Sequence, residues 1–170
     1  MDQSERVELR DYCVVAYRHG ARGIEFCLLS QATGNRWEFP TTPADEPLEN
    51  GATPLHDVAA GVGLHGQLDD REPLDMFAAA RGNQSRHVTA YLMHVTAVDE
   101  NWPQRATHRR IWCLAEEARA RLRRKPYRRF IDLALRCAAT RSPAVNGRGP
   151  LGANSSNSAN GASAGPRLPR

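Results

Sequence analysis

Thr53-Pro54-Leu55-His56-Asp57-Val58-Ala59-Ala60-Gly61-Val62-Gly63 lies near the centre of this 170-residue chain, and its reading decides the fold. Thr53 is a good N-cap and Pro54 suits the first helical position, where no N–H is needed, so the stretch predicts a helix running toward Gly63. Leu55, Val58 and Val62 fall on one face of it. His56, Asp57, Ala60 and Gly61 fall on the other, with residues 57, 60 and 61 at i, i+3 and i+4 on one side of the cylinder. A short helix with a single apolar stripe must bury that stripe against another layer.

The flanks supply the layer. Cys13-Val14-Val15-Ala16-Tyr17 and Glu25-Phe26-Cys27-Leu28-Leu29-Ser30 read as strands of a hairpin, with Arg18 to Gly23 as the turn-rich link. Asp75 to Ala79 is a weaker strand, Val88 to Val95 a strong one and Arg110 to Cys113 a short one. Leu114, Ala118 and Leu122 recur every four residues and predict a helix that Lys125-Pro126 ends. Phe130, Ala134 and Cys137, beside Ile131, Leu135 and Ala138, form the apolar face of a second. Strands, a short helix, more strands and closing helices predict an α/β sandwich over residues 1 to 140. Residues 141 to 170, dominated by Gly, Pro, Ser, Asn and Ala, have too little to bury and are expected to be a disordered tail.

Composition excludes several classes. With 41% hydrophobic and 25% charged residues the chain is of ordinary globular type. No apolar run approaches the ~18 residues of a membrane span, and the start Met1 to Arg6 lacks a signal peptide's basic and apolar regions. A cytoplasmic location and no membrane partner are the expectations. Cys13, Cys27, Cys113 and Cys137 are far apart among apolar neighbours, which reads as buried free thiols rather than a zinc site. The net charge of +4 belongs to the tail, which holds Arg141, Arg148, Arg167, Arg170 and no acid. Residues 1 to 104 hold 8 bases and 16 acids, whereas residues 105 to 129 hold 10 bases and 2 acids.

Several pieces together resemble a known family. Trp37-Glu38-Phe39-Pro40 resembles the Trp-x-Phe-Pro leading into the Nudix box, and Leu55 to Gly66 resembles the helix and exit of that box, with no net gap between them. Trp102-Pro103-Gln104, Arg109-Arg110-Ile111-Trp112 and Leu114-Ala115-Glu116-Glu117-Ala118 are similar to the Trp-Pro-Glu, Arg-x-x-Trp and Glu-Ala pattern of the diphosphoinositol and diadenosine polyphosphate branch of the Nudix hydrolases. The match covers roughly residues 11 to 138. It implies a Nudix-type α/β/α sandwich with a mixed sheet, and a partner that is a phosphorylated small molecule, a nucleotide or polyphosphate. It also implies hydrolysis of a diphosphate bond with Mg²⁺ or Mn²⁺ as cofactor.

The box itself departs from the family. Where the signature has Gly and a first Glu, this chain has Thr42 and Leu48; Arg-Glu becomes His56-Asp57 and Glu-Glu becomes Ala60-Gly61, while Val58 and Gly63-Leu64 are kept. Mg²⁺ and Mn²⁺ are hard ions that want several oxygen ligands, and Asp57 alone replaces three glutamates on the helix face. Asp57 is the candidate catalytic and metal residue, with Glu46 and Glu49 of the preceding acidic loop as further metal candidates; the plainer reading of such loop acids is solvation. Turnover is expected to be weak or absent, the alternative being a non-catalytic domain that binds a phosphorylated ligand or a protein. His56 beside Asp57 points about 100° away from it, and His87 and His94 fall on opposite faces of a strand, so neither pair is expected to share a task.

The basic segment offers the other candidates. Arg109, Arg110, Arg123, Arg124, Lys125 and Arg128 are expected to hold phosphates, since arginine forks match phosphate oxygens and basic residues of the resembling branch hold a polyphosphate chain. The equal alternative is that the segment pairs with the acidic first part of the domain. Nucleic acid is not expected, because no aromatic stacking platform accompanies the patch.

Overall fold

The computed structural model describes residues 7–43, 54–81 and 83–141, and in them seven strands form one mixed sheet. In chain order the elements are β1 (Val7–Gly20), β2 (Gly23–Gln31), β3 (Thr41–Pro43), α1 (Leu55–Gly61), β4 (Leu64–Leu68), β5 (Asp75–Arg81), β6 (Gln84–Val98), a 3-10 turn (Pro103–Ala106), β7 (His108–Leu114), α2 (Ala115–Arg121) and α3 (Lys125–Thr140). β1 and β6 run parallel at the centre, from Val7 beside Gln84 to Tyr17 beside His94. The outer edge of β6 is shared by β5 and then β4, both antiparallel. The outer edge of β1 is shared by β3, at Asp11 to Cys13, and by β2, at Tyr17 to Gly20. β2 continues into antiparallel pairing with β7.

Alternation along the strands sends side chains to both faces. Cys13, Val15 and Tyr17 of β1 join Val88, Ala90 and Leu92 of β6 under α2 and α3. Val14 and Ala16, with Met93 and Val95, lie under α1 through Leu55, Val58, Ala59 and Val62. The three layers are therefore helix, sheet and helix, as expected. The α3 side is built round aromatic rings: Phe130 sits 5.8 Å from both Tyr127 and Phe77 and 6.5 Å from Phe39.

Several boundaries differ from the sequence expectation, each for a local reason. Arg18 to Gly20 continue β1 instead of turning, because Gly20 pairs with Gly23 and only two residues close the hairpin; Gly23 takes φ +130 there. Lys125-Pro126 begins α3 instead of ending α2, which has already stopped at Arg121. Proline fits the first turn of a helix because its absent N–H would have no partner there. α1 starts at Leu55 with Pro54 as its flanking residue and ends at Gly61, two residues short of Gly63. Gly63 itself has φ +67, and a Cβ there would lie 2.7 Å from Trp102 Cβ, so the exit from α1 requires glycine. β4 and the short β3 were not expected from the sequence. Thr53 and residues 142–170 lie outside the described residues, whereas Arg141, the first residue of the expected tail, caps α3 and pairs with Asp69.

Candidate functional site

Two regions hold the residues with chemical potential, and the first is the outer face of α1. Leu55, Val58 and Ala59 are buried against the sheet, which turns His56, Asp57 and Ala60 outward and leaves Gly61 half-buried. Among the described residues the Asp57 carboxylate makes no hydrogen bond or ion pair. His56 faces Asp70 across 3.6 Å and not Asp57, in keeping with a surface role. Gly61 packs beside Gln104, whose Nε2 would be 3.1 Å from a Cβ at position 61. Among the described residues no group of three or more His, Cys, Asp or Glu side chains could hold a metal ion. Glu46 and Glu49 lie outside the described residues. A hard divalent ion needs several oxygen ligands, and the described part of this face offers one carboxylate, so the described residues do not fit such an ion.

The basic residues singled out from sequence separate into two sets. Arg110 is half-buried and bound inward: its guanidinium donates to the carbonyls of Val62 and, at 2.8 Å, of Asp99, and lies 5.1 Å over the Trp102 ring. Burial lowers its pKa from the ordinary arginine value. It fastens the exit of α1 to β7. Arg109 donates to the carbonyl of Gly34 and lies 5.2 Å over Trp37, and Arg128 Nε donates to the carbonyl of Leu122 at 2.9 Å. Arg123, Arg124 and Lys125 form the other set: all are exposed, and among the described residues no side chain of the three makes a hydrogen bond or an ion pair.

Pairing between the basic segment and the acidic first part is sparse. Arg129 reaches Asp75 at 3.0 Å, but Arg119 pairs with Glu116 and Asp132, and Arg121 with Glu117, all close in sequence. Among the described residues only Arg129 makes the expected link across the domain. The aromatic expectation also needs refinement. Trp37 and Trp102 line one hollow of about 490 Å³ with Arg105, His108, Arg109 and Arg110. Both rings are buried, and a guanidinium covers a face of each.

The second region is a cleft of about 690 Å³, bounded by the start of β1, residues 29–41, the start of β6 and the start of α3. Asp11, only 5% exposed, lies in its wall. Asp11 Oδ2 accepts from Arg86 Nη1 at 2.6 Å, and its Oδ1 is buried with no hydrogen-bond partner among the described residues. Nearby, Arg36 Nε pairs with Glu38 Oε1 at 2.9 Å. Arg124 lines the cleft at the start of α3, and Gln104 lines it while also touching Gly61 of α1. Phe39 and Tyr127 contribute apolar wall, and burial raises the Tyr127 phenol well above its usual pKa, keeping it neutral. A cleft of this size suits a small organic ligand, and its guanidinium groups suit an anionic one.

Sequence reading missed Asp11, Arg36, Glu38 and Arg86. The available signal was the alternation Leu9, Asp11, Cys13, Val15, Tyr17, which places an acid on the inward face of β1. It was hidden because the strand was read from Cys13, whereas β1 begins at Val7.

The remaining candidates are structural. His87 and His94 do lie on opposite faces of β6; His94 stacks on Tyr17 at 5.0 Å, and its burial and His19 lower its pKa. All four cysteines are free, Cys13, Cys27 and Cys113 buried and Cys137 half-buried. Burial pushes the thiols of Cys13 and Cys27 up to about 12 and that of Cys113 up to about 11, so they stay protonated and unreactive near neutral pH. Among the described residues no helix is long and apolar enough to cross a membrane.

The architecture is that of a Nudix-fold protein. An Ap4A hydrolase from C. elegans superposes with a TM-score of 0.58 at 14% identity, over 77% of this chain and 98% of that one. The NUDIX domain of Shewanella oneidensis NrtR, solved in complex with ADP ribose, gives 0.62 at 11% identity over 81% and 93%. The E. coli ORF135 protein gives 0.56 at 16% identity over 85% and 99%. Neither a family model nor a curated protein matches the chain by sequence.

Proposed function

We propose that the protein binds a phosphorylated small molecule, a nucleotide or polyphosphate, in the cleft beside β1, and that it hydrolyses diphosphate bonds weakly or not at all. The observation that carries this reading is the outer face of α1, where Asp57 stands with Ala60 and Gly61. Hydrolysis of a diphosphate needs a metal to screen the phosphates and polarise a water, and one carboxylate binds such a metal poorly. Binding needs no such metal. The cleft retains Arg36, Arg86 and Arg124, and the exposed Arg123 and Lys125 adjoin it in sequence. A Nudix domain of similar fold has been solved with ADP ribose, which supports a nucleotide as the class of ligand.

Calorimetric titration of nucleoside and dinucleoside polyphosphates, with phosphate release measured in Mg²⁺ and in Mn²⁺, tests the reading. The expected result is binding without release. Metal-dependent release that disappears in Asp57→Ala would instead support a hydrolase using Asp57 with Glu46 and Glu49. The unpaired carboxylate of Asp57 is the observation that favours this second reading. Charge reversal at Arg123 and Arg124 together should weaken polyphosphate binding, and an unchanged affinity would remove these residues from the site.

A further inference from the structure

Asp11 is difficult to explain as packing. It occupies an inward position of β1 whose next three equivalents, Cys13, Val15 and Tyr17, are buried apolar or aromatic residues of the core. It is 5% exposed, so its carboxylate has lost most of its water. Buried acceptors in folded proteins are nearly always paired, because an unpaired one forfeits its hydration with no return. Arg86 satisfies only half of the group, through Oδ2 at 2.6 Å; among the described residues Oδ1 has no partner, and the residue lines the cleft.

The chemistry of the missing partner follows from the neighbours. Arg86 already balances the charge of Asp11, so the unfilled acceptor calls for a neutral donor more than for a second cation. A phosphate carries no donor at neutral pH and would be repelled by a carboxylate, so the phosphate end of a ligand belongs elsewhere, toward Arg124 at the start of α3. Glu38 repeats the arrangement in the same cleft, held by Arg36 through Oε1 alone. The wall therefore carries two carboxylates, each tied on one oxygen by an arginine, of which only Asp11 is buried away from water.

We infer that Asp11 is a specificity-determining residue, its free Oδ1 accepting a hydrogen bond from an N–H or O–H donor on the part of the ligand remote from its phosphates. This rests on the cleft being the ligand site. The donor is either an amino or ring N–H of a base or a sugar hydroxyl, two sources of one chemistry.

The test uses the full chain with tripolyphosphate and nucleoside triphosphates as probes in calorimetry. Tripolyphosphate has no such donor, so the ratio of nucleotide to tripolyphosphate affinity isolates the contact. In Asp11→Asn, Arg86 holds the amide oxygen and the amide NH₂ turns to the ligand, replacing an acceptor by a donor. The ratio should fall about 10- to 100-fold, the range carried by a hydrogen bond to a charged group, while tripolyphosphate affinity does not fall, since neutralising Asp11 leaves the charge of Arg86 uncompensated. GTP against ITP, ATP against purine riboside triphosphate, and ribo- against 2′-deoxynucleotides delete N–H and O–H donors from the ligand. The deletion that weakens binding to the unmutated chain should cease to matter in Asp11→Asn. An unchanged ratio in a folded Asp11→Asn overturns the inference and leaves the binding function standing. If that variant does not fold, the ligand series on the unmutated chain decides, and the absence of any penalty for losing a donor overturns the inference. Failure of the unmutated chain to bind any probe removes the binding function itself, and this inference with it.

Discussion

The outer face of α1 and the cleft beside β1 differ in opposite directions from what a diphosphate hydrolase needs. The helix face is exposed and chemically poor, one carboxylate followed by an alanine and a glycine. The cleft is open to solvent on one side and chemically rich, with Asp11, Glu38, Arg36 and Arg86 arranged as two ion pairs in its wall. Gln104 stands between them, touching Gly61 on one side and lining the cleft on the other. Charged groups taken out of water are costly to keep, whereas surface carboxylates are not. Of the four charged groups paired in the cleft only Asp11 is buried, so the cost of desolvation falls on that one carboxylate.

The largest expected effect tests whether both sides of the sheet are equally closed. Cys13 and Cys113 lie on the α3 side and Cys27 on the α1 side. Their thiols have pKa values raised from the ordinary 9.0 to about 12, 11 and 12 respectively, with burial as the main cause. Above pH 9 the unfolded chain releases protons that the folded chain retains. The stability they contribute is complete below pH 9 and is lost as pH rises toward 11 and 12. Each thiol subtracts up to about 1.4 kcal/mol per pH unit in that window. Urea midpoints measured from pH 8 to 11 should fall steeply, and a flat profile would contradict the burial. Thiol labelling of the folded chain at pH 8 sharpens the comparison: Cys137 should react first, and a Cys27 as fast as Cys137 would mean that the α1 side is open.

Next comes the wall of the cleft. Phe130 packs on Phe39 and Tyr127, both of which line it. Phe130→Ala should cost about 3–5 kcal/mol in urea unfolding and Leu55→Ala, under α1, about 2–5 kcal/mol. The two should part company in calorimetry: Phe130→Ala weakens nucleotide binding, while Leu55→Ala leaves it intact. Equal losses of affinity would show that the helix takes part in recognition after all.

How far the sequence revealed these regions follows from how each is built. The layers were legible because alternation in Cys13 to Tyr17 and the four-residue spacing of Leu114, Ala118 and Leu122 are local patterns. The poverty of the helix face was legible for the same reason, since residues 57, 60 and 61 share a side by helical geometry alone. The cleft was not legible. Asp11 and Arg86 are 75 residues apart, and they meet only because β1 and β6 run parallel. The basic segment misled in part because a run of arginines looks uniform in sequence. In the fold Arg110 is consumed in holding the exit of α1, while Arg123, Arg124 and Lys125 remain exposed.

The smallest effects come from two glycines two residues apart. Gly63 has φ +67, and a Cβ there would meet Trp102 Cβ at 2.7 Å and Asp99 Cβ at 3.1 Å, so Gly63→Ala should destabilise the chain by more than ~1 kcal/mol. Gly61 lies within the helix, where alanine is preferred by about 0.5–1 kcal/mol. Its one close neighbour is Gln104 Nε2 at 3.1 Å, the far end of an exposed and flexible side chain that can yield a few tenths of an ångström. Gly61→Ala should therefore raise the urea midpoint slightly, and a fall would mean that Gln104 is held in place from the cleft side. Calorimetry on the same variant takes the comparison to its finest point. Unchanged nucleotide affinity keeps recognition in the cleft, whereas weakened binding would make Gln104 the residue through which the helix face and the cleft act as one site.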